Sequence, residues 1–461
     1  MPFLDLPART ITRRFGGLAQ GVSPVRLVPL GFALTILAGT ALLMLPAARA
    51  NGAAEGGAPW LVALFTAVSA TCVTGLVTVD TGSYWSGFGE AVILGLIQIG
   101  GLGTLVVTTL LLMALGDRLS LSGRLRAGAE HRGVGPGGVE RRVRTVLAFT
   151  LAVELGIAAL LIGWTRLAYG LPWGEAAWQG LFHAVSAFNN AGFGLHPDSL
   201  VRYNHDPVVL LALSAAVVLG GIGMPVVAEL LRRRRGARVS LHTFLTVAGT
   251  LALTFGAALL TLLFERGGDG ALAGMATPQA ALNALTHSVM LRTAGFNAVD
   301  MAALSDASVL MACFVMIVGG GSVGTAGGVK VTTVMVLLAV VAAELRGRPD
   351  STIRSRRLPG AVQREALAVL VLAAAAVGLG TLAVLGISGL PLRDVLFEAS
   401  SAFATVGLST GITAKLPPAA QVVIMALMFV GRVGPITLGA ALALRHRPTS
   451  IRYAEERVIV G

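Results

Sequence analysis

Leu396-Phe-Glu-Ala-Ser-Ser-Ala-Phe-Ala-Thr-Val-Gly-Leu-Ser-Thr-Gly411 begins apolar, becomes small and hydroxylated, and turns on Gly407. The same design stands around Gly75, Gly192 and Gly295. Ten positions before the four glycines lie Phe65, Phe182, Leu285 and Phe397. Six positions before them lie Ser69, Ser186, Val289 and Ser401, and just after them Leu76, Phe193, Phe296 and Leu408. By the difference of their numbers the glycines are 117, 103 and 112 residues apart. One offset pattern repeated at near-constant spacing marks a repeat architecture, here a fourfold one.

The 461 residues are 55% hydrophobic and 13% charged, with a mean hydropathy of +0.79. A soluble domain carries about 25% charged residues, so this chain reads as an all-α polytopic membrane protein. Several apolar runs reach the roughly 20 residues that span a bilayer. The net charge of +12 does not indicate nucleic acid, because the arginines cluster in a few polar gaps and almost none lie within the apolar runs. That distribution is the positive-inside pattern of cytoplasmic loops. Cys72 and Cys313 have neither CxxC spacing nor histidine neighbours, which argues against zinc and against a disulfide scaffold.

In chain order, residues 1–25 are a basic cytoplasmic segment and 26–116 a first repeat of long helix, short helix, glycine turn and long helix. The run from Val28 to Leu45 followed by Ala48-Arg-Ala50 imitates a signal peptide, but it is long for one and reads as a retained first span. Residues 117–142 are a basic loop, 143–235 the second repeat, 236–345 the third, 346–362 another basic loop, 363–445 the fourth repeat and 446–461 a cytoplasmic tail. The expected short helices are Trp60–Thr71, Trp173–Phe188, Pro278–Leu291 and Leu392–Phe403, and the long spans number about eight. Val208–Leu231 is read as one continuous span.

A short helix followed by extended backbone inside a membrane leaves carbonyls unpaired, and such backbone survives only where protein buries it or a water-filled path passes. Four such turns about one axis make rings of carbonyl oxygens, which can replace the hydration shell of a monovalent cation. Glycine suits the turn because the backbone angles there exclude a side chain. The short helices would also aim their negative dipole ends at the ion.

Thr74-Gly-Leu76, Asn190-Ala-Gly-Phe193, Arg292-Thr-Ala-Gly-Phe-Asn297 and Thr405-Val-Gly-Leu-Ser409 resemble the four filter segments of the Trk/Ktr/HKT superfamily of potassium transporters. The resemblance covers essentially the whole chain and is greatest to the membrane subunit of the bacterial Ktr system. Only one span precedes the first short helix, where Trk subunits usually have more, and the tail Arg452-Tyr-Ala-Glu-Glu-Arg-Val-Ile-Val-Gly461 is similar to Ktr tails. The resemblance implies a potassium filter at Val73, Thr74, Gly75, Asn190, Ala191, Gly192, Thr293, Ala294, Gly295, Thr405, Val406 and Gly407. In that superfamily a serine at the first filter glycine goes with sodium selectivity, so Gly75 implies potassium. The resemblance also implies a homodimer in the bacterial inner membrane, seated on a cytosolic KtrA-like ring of regulatory subunits. ATP or ADP would bind that ring, and this chain would bind no cofactor beyond the transported potassium ion and its surrounding lipid.

Within the sixth long span lies Gly319-Gly-Gly-Ser-Val-Gly-Thr-Ala-Gly-Gly-Val-Lys330, too glycine-rich to stay helical at mid-membrane. It resembles the intramembrane gating loop of the same family, with Gly319, Gly320, Gly321, Ser322, Gly324, Thr325, Gly327, Gly328 and Lys330 obstructing the path. It is no phosphate loop, because Val329 precedes Lys330 where the Walker pattern has glycine. Gly133-Val-Gly-Pro-Gly-Gly138 formally matches GxGxxG, but no strand precedes it and it reads as loop. Arg432 lies inside the last apolar span, and an intramembrane charge is functional by default; the resemblance assigns it to contact with the gating loop. Glu398 reads as a hydrogen-bonding anchor of the fourth filter, Arg292 as a brace behind the third, and Glu154 and Glu229 as packing or boundary ion pairs.

Two other readings compete. A secondary transporter coupling sodium or protons to uptake would also use broken helices, with Glu154 as the residue to examine. A membrane-embedded enzyme would need convergent catalytic groups. His183 and His287 are one position out of register and have no carboxylate beside them, which argues against that reading.

Overall fold

The computed structural model describes residues 24–116, 136–232 and 239–444. The basic segments 1–23, 117–135, 233–238 and 445–461, with most of the expected cytoplasmic arginines, lie outside the described residues. The architecture is all-α, with one two-residue hairpin (Thr352–Ile353 with Arg356–Arg357) among the described residues.

The first repeat is α1 (Pro24–Leu43), the short α2 (Trp60–Thr71) and α3 (Gly87–Gly116). The second is α4 (Pro136–Tyr169), the short α5 (Trp173–Phe188), α6 (Pro207–Ile222) and α7 (Met224–Arg232). The third is α8 (Leu241–Glu265), the short α9 (Thr277–Met290), α10 (Asp306–Ile317) and α11 (Val331–Glu344). The fourth is α12 (Gly360–Ser388), the short α13 (Leu392–Ala404) and α14 (Pro418–Leu444).

A proline opens every short helix: Pro59, Pro172 and Pro391 precede α2, α5 and α13, and Pro278 sits in the first turn of α9. Its fixed φ is preset for a helix start, and its missing N–H costs nothing there. Each short helix packs inside its own repeat, α4 on α5 and α8 on α9 for example. The packing is anchored by the aromatic residue ten positions before the turn: Phe65, Phe182 and Phe397 are fully buried.

By length and hydropathy, α3, α4, α8 and α12 qualify as membrane spans on their own. The other four expected spans are α1, α14 and two interrupted helices, whose described apolar stretches are shorter. One interruption is the glycine-rich segment between α10 and α11, as expected. The other corrects the reading of Val208–Leu231 as a single helix: α6 and α7 meet at Gly223 with a bend of 97°. Gly223 takes φ 86° and ψ 147°, angles that glycine alone adopts readily. Helix α4 also starts at Pro136, so residues 136–142, read as loop, form its first turns. The two interrupted spans belong to the second and third repeats and meet at their interruptions, where Gly321 and Thr325 bond Gly221 and Gly220, which is how the site below is built.

Candidate functional site: a ring of four turns and the loop beneath it

Each short helix ends in a turn with two left-handed residues. Gly75, Gly192, Gly295 and Gly407 have φ of 94°, 71°, 71° and 94°. Two positions before them, Val73, Asn190, Thr293 and Thr405 have φ of 58°, 60°, 70° and 53°. For Val73, Thr293 and Thr405, β-branched residues, such angles are outliers that surrounding structure must enforce. Part of that enforcement is visible. The amides of Thr74, Ala191 and Val406 donate to the carbonyls of Ser69, Ser186 and Ser401 at 2.8 Å each. The amides of Gly75 and Gly407 donate to the hydroxyls of Ser69 and Ser401 at 3.1 and 3.0 Å. The third turn, with Val289 at the serine position, folds differently: the amides of Ala294 and Gly295 share the carbonyl of Met290 at 3.1 and 3.3 Å.

The turns close on one another in cyclic order. A Cβ on Gly75 would lie 2.4 Å from the carbonyl oxygen of Ala191, and one on Gly192 would lie 2.8 Å from that of Ala294. A Cβ on Gly295 would lie 2.3 Å from the carbonyl of Val406, and one on Gly407 would lie 2.1 Å from that of Thr74. Each glycine thus abuts the carbonyl just before the next glycine, around a complete circle of four. The ring is built of backbone, and its residues just after the glycines (Leu76, Phe193, Phe296 and Leu408) are buried. One side of the ring opens into a cavity of about 220 Å³ bordered by all four glycines and by Asp80, His196, Ser199, Asn297, Ser409 and Thr413.

The other side is covered by the segment 318–330. Gly319 and Val329 bond across its neck, the Gly319 amide to the Val329 carbonyl at 2.8 Å and the Val329 amide to the Ile317 carbonyl at 3.0 Å. The interruption in the second repeat receives it: the amides of Gly321 and Thr325 donate to the carbonyls of Gly221 and Gly220 at 2.8 and 3.1 Å. Those carbonyls are free because the helix ends at Ile222. The Thr325 hydroxyl lies 2.8 Å from Asn190 Oδ1 and 3.1 Å from the Phe188 carbonyl, both in the second turn. Gly327 leaves room for Thr405 of the fourth turn, whose Oγ1 would be 2.0 Å from an added Cβ. Gly320, Gly324 and Gly328 are buried, Ser322 meets Thr332 at 2.6 Å, and Lys330 donates to the Ala326 carbonyl at 2.5 Å.

Two buried arginines hold the loop from either side. Arg432 of α14, 3% exposed, donates to the Thr325 carbonyl, to the Gly100 carbonyl at 3.2 Å and to Thr104 Oγ1 at 3.0 Å. Arg292, 6% exposed, reaches from behind the third turn to Thr250 Oγ1 at 3.2 Å and to the Gly319 carbonyl at 3.4 Å. Every sequence-predicted residue of the turns and the loop therefore lies in one assembly. Glu398 accepts from Ser409 at 2.7 Å and from Thr413, tying α13 to the cavity wall after the fourth turn. Glu229 stands apart, accepting from the Ser240 amide at 2.5 Å and the Ser240 hydroxyl at 2.7 Å, and from Thr243, at the start of α8. Sequence reasoning missed Gly220 to Gly223, whose signal was three glycines in four residues followed by Pro225. It also missed Gly100, Thr104 and Asn189, for which no local signal exists.

The chain belongs to the family of TrkH cation transport proteins, whose family description matches residues 38–448. It is a family of transport proteins and not of enzymes. The chain is 38% identical over 439 residues to Ktr system potassium uptake protein B of Bacillus subtilis (strain 168), covering 95% of this chain and 97% of that protein. It is 32% identical over 447 residues to potassium/sodium uptake protein NtpJ of Enterococcus hirae, covering 95% of this chain and 98% of that protein. Among solved structures it is similar to the potassium transporter TrkH from Vibrio parahaemolyticus, with a TM-score of 0.71 and 18% identity over 91% of this chain and 85% of that one. That likeness supports the fold described above.

Proposed function

We propose that this chain is the potassium-translocating pore subunit of a two-component uptake system of the Ktr type. The observation that carries the reading is the cyclic closure of Gly75, Gly192, Gly295 and Gly407, each against the carbonyl preceding the next. Backbone oxygens converging from four sides suit a dehydrated monovalent cation. The names of the relatives supply the ion. In this reading Val73 to Gly75, Asn190 to Gly192, Thr293 to Gly295 and Thr405 to Gly407 select potassium, and the cavity above them is the extracellular entrance. The segment 319–330 with Arg432 is the gate. It blocks the cytoplasmic side of the filter and withdraws when a cytosolic nucleotide-binding ring pulls on a homodimer. Both termini and the basic segments lie in the cytoplasm of a bacterium.

The test is growth of a potassium-uptake-deficient bacterium on low potassium, comparing wild type with Gly75→Ser in the presence of the regulatory subunit. Rescue by wild type with loss of potassium preference in the variant supports the reading. Unchanged preference in a variant that still conducts removes Gly75 from the filter. A second reading, sodium-coupled symport, draws on the potassium/sodium name of the Enterococcus relative. It requires potassium uptake into liposomes to depend on external sodium.

A further inference from the structure

Glu154 lies in α4 with 3% exposure, and among the described residues no lysine or arginine forms an ion pair with it. Its oxygens are held by two amides: Gln98 of α3 donates to Oε2 at 3.0 Å, and Asn189 donates to Oε1 at 2.9 Å. Asn189 also donates to Gln98 Oε1 at 2.9 Å, so the three side chains form a closed triangle. The Asn189 side chain fits there because Gly101 is a glycine: a Cβ at 101 would stand 1.9 Å from Asn189 Oδ1.

Asn189 caps α5 and is flanked by the two residues that receive the loop. Phe188 offers its carbonyl and Asn190 its side-chain oxygen to Thr325. The three-residue segment 188–190 is thus gripped on one side by the triangle and on the other by the loop. A buried acid without an ion pair is costly to keep. Resting on the pore reading above, the geometry points to Glu154 as a positioning residue: it fixes Asn189 so that Phe188 and Asn190 present a rigid seat to Thr325, and so holds the gate shut. With the carboxylate gone, Asn189 keeps only Gln98 Oε1 and the Val185 carbonyl, each at 2.9 Å, so the seat loosens and the loop's anchor at Thr325 weakens.

The full chain reconstituted in liposomes without its partner gives the test, read as potassium leak per inserted protein. Glu154→Ala and Asn189→Ala should each raise the leak about fivefold, the fold-change of one ordinary hydrogen bond. Thr325→Val should do the same. The double variant Glu154→Ala with Thr325→Val should leak no more than Thr325→Val alone, because both changes break one connection. Glu154→Gln keeps an oxygen opposite the Asn189 amide, and Gln98 can turn its own amide to accept from the new NH2, so Asn189 stays held and the leak should remain low. A merely structural role lowers the amount of inserted protein and leaves leak per molecule unchanged. If Glu154→Ala does not insert, Asn189→Ala carries the comparison. An inserted variant with wild-type leak, or a double variant whose leak is the product of the two singles, overturns the assignment while the pore reading stands. A wild type that passes potassium neither alone nor with its regulatory ring overturns both.

Discussion

The carbonyl oxygen of Thr325 accepts a hydrogen bond from Nη1 of Arg432, so the last long helix holds the glycine-rich loop by its middle. The same guanidinium bonds Gly100 and Thr104 of α3, which makes Arg432 a clamp between two helices and the loop. Hydrogen bonds to a charged donor contribute about 1.5–3 kcal/mol each. On the gate reading proposed above, losing one such bond from the closed state alone shifts the closed-to-open ratio by about 10- to 150-fold. Arg432→Ala is therefore expected to raise potassium flux through the chain without its partner, and Arg432→Lys to raise it less, since lysine keeps the charge but not the planar fork. Efflux from potassium-loaded liposomes measures this. An alanine variant as tight as wild type would show that the loop closes without the clamp.

A second prediction orders the four ring glycines. The nearest atom to an added Cβ lies at 2.1 Å for Gly407, 2.3 Å for Gly295, 2.4 Å for Gly75 and 2.8 Å for Gly192. In each case that atom belongs to backbone, which cannot swing away as a side chain can. Alanine at any of the four also carries the strain of positive φ, of order 1–3 kcal/mol. Potassium preference over sodium should fall in all four variants, most in Gly407→Ala and least in Gly192→Ala, measured as competition in uptake. Equal preference in all four variants and wild type would show that the ring spacing does not set selectivity.

The sequence made the ring legible because glycine is the residue that serves a left-handed turn, and four glycines at matched offsets leave a readable trace. The ends of α2 and α5 were readable for a related reason, since a proline precedes each helix and a glycine turn follows it. The residues two positions before the glycines were not recognisable as left-handed, because Val73 is β-branched and its local preference is the opposite one. The break at Gly223 was hidden by apolar neighbours on both sides, which alone describe an unbroken span. The Gln98–Glu154–Asn189 triangle joins residues as many as 91 positions apart, and no periodicity reports a contact of that kind.

A pH effect is expected at the cavity side of the ring. His196 borders the cavity and stacks on His183 at 5.7 Å between ring centroids. Partial burial holds its pKa below the ordinary histidine value, and Arg202 adds to the shift, while Asp198, Glu175 and Asp80 oppose it. The fold therefore favours the neutral ring. The unfolded chain binds more protons than the folded one in the interval between the depressed and the ordinary value, so stability rises with pH there and falls on acidification. If this cavity is the entrance proposed above, protonation also places a positive charge beside the entering cation. Uptake should be level through neutral pH and fall once the pH on the cavity side drops below the ordinary histidine range, about 6.5. His196→Asn should abolish that fall, and an unchanged acid profile in His196→Asn would assign it to another group.

The last prediction concerns the joint between the two interrupted spans. A Cβ on Gly324 would lie 2.1 Å from the Gly221 carbonyl, and one on Gly223 would lie 2.5 Å from the Val323 carbonyl. Loop and broken helix therefore depend on each other's glycines, and neither backbone moves without the other. Gly324→Ala forces the loop off the end of α6, and the amides of Gly321 and Thr325 lose the carbonyls they bond there. Each orphaned buried group costs about 1–3 kcal/mol, a penalty that falls on the closed arrangement. The expected result is a potassium leak raised by more than about tenfold, since 1.4 kcal/mol already represents that factor. Gly103 in α3 has nothing within 4 Å of an added Cβ, so Gly103→Ala serves as the control and should stabilise its helix by about 1 kcal/mol. Comparable leak in both variants would mean that the joint does not bear on closure.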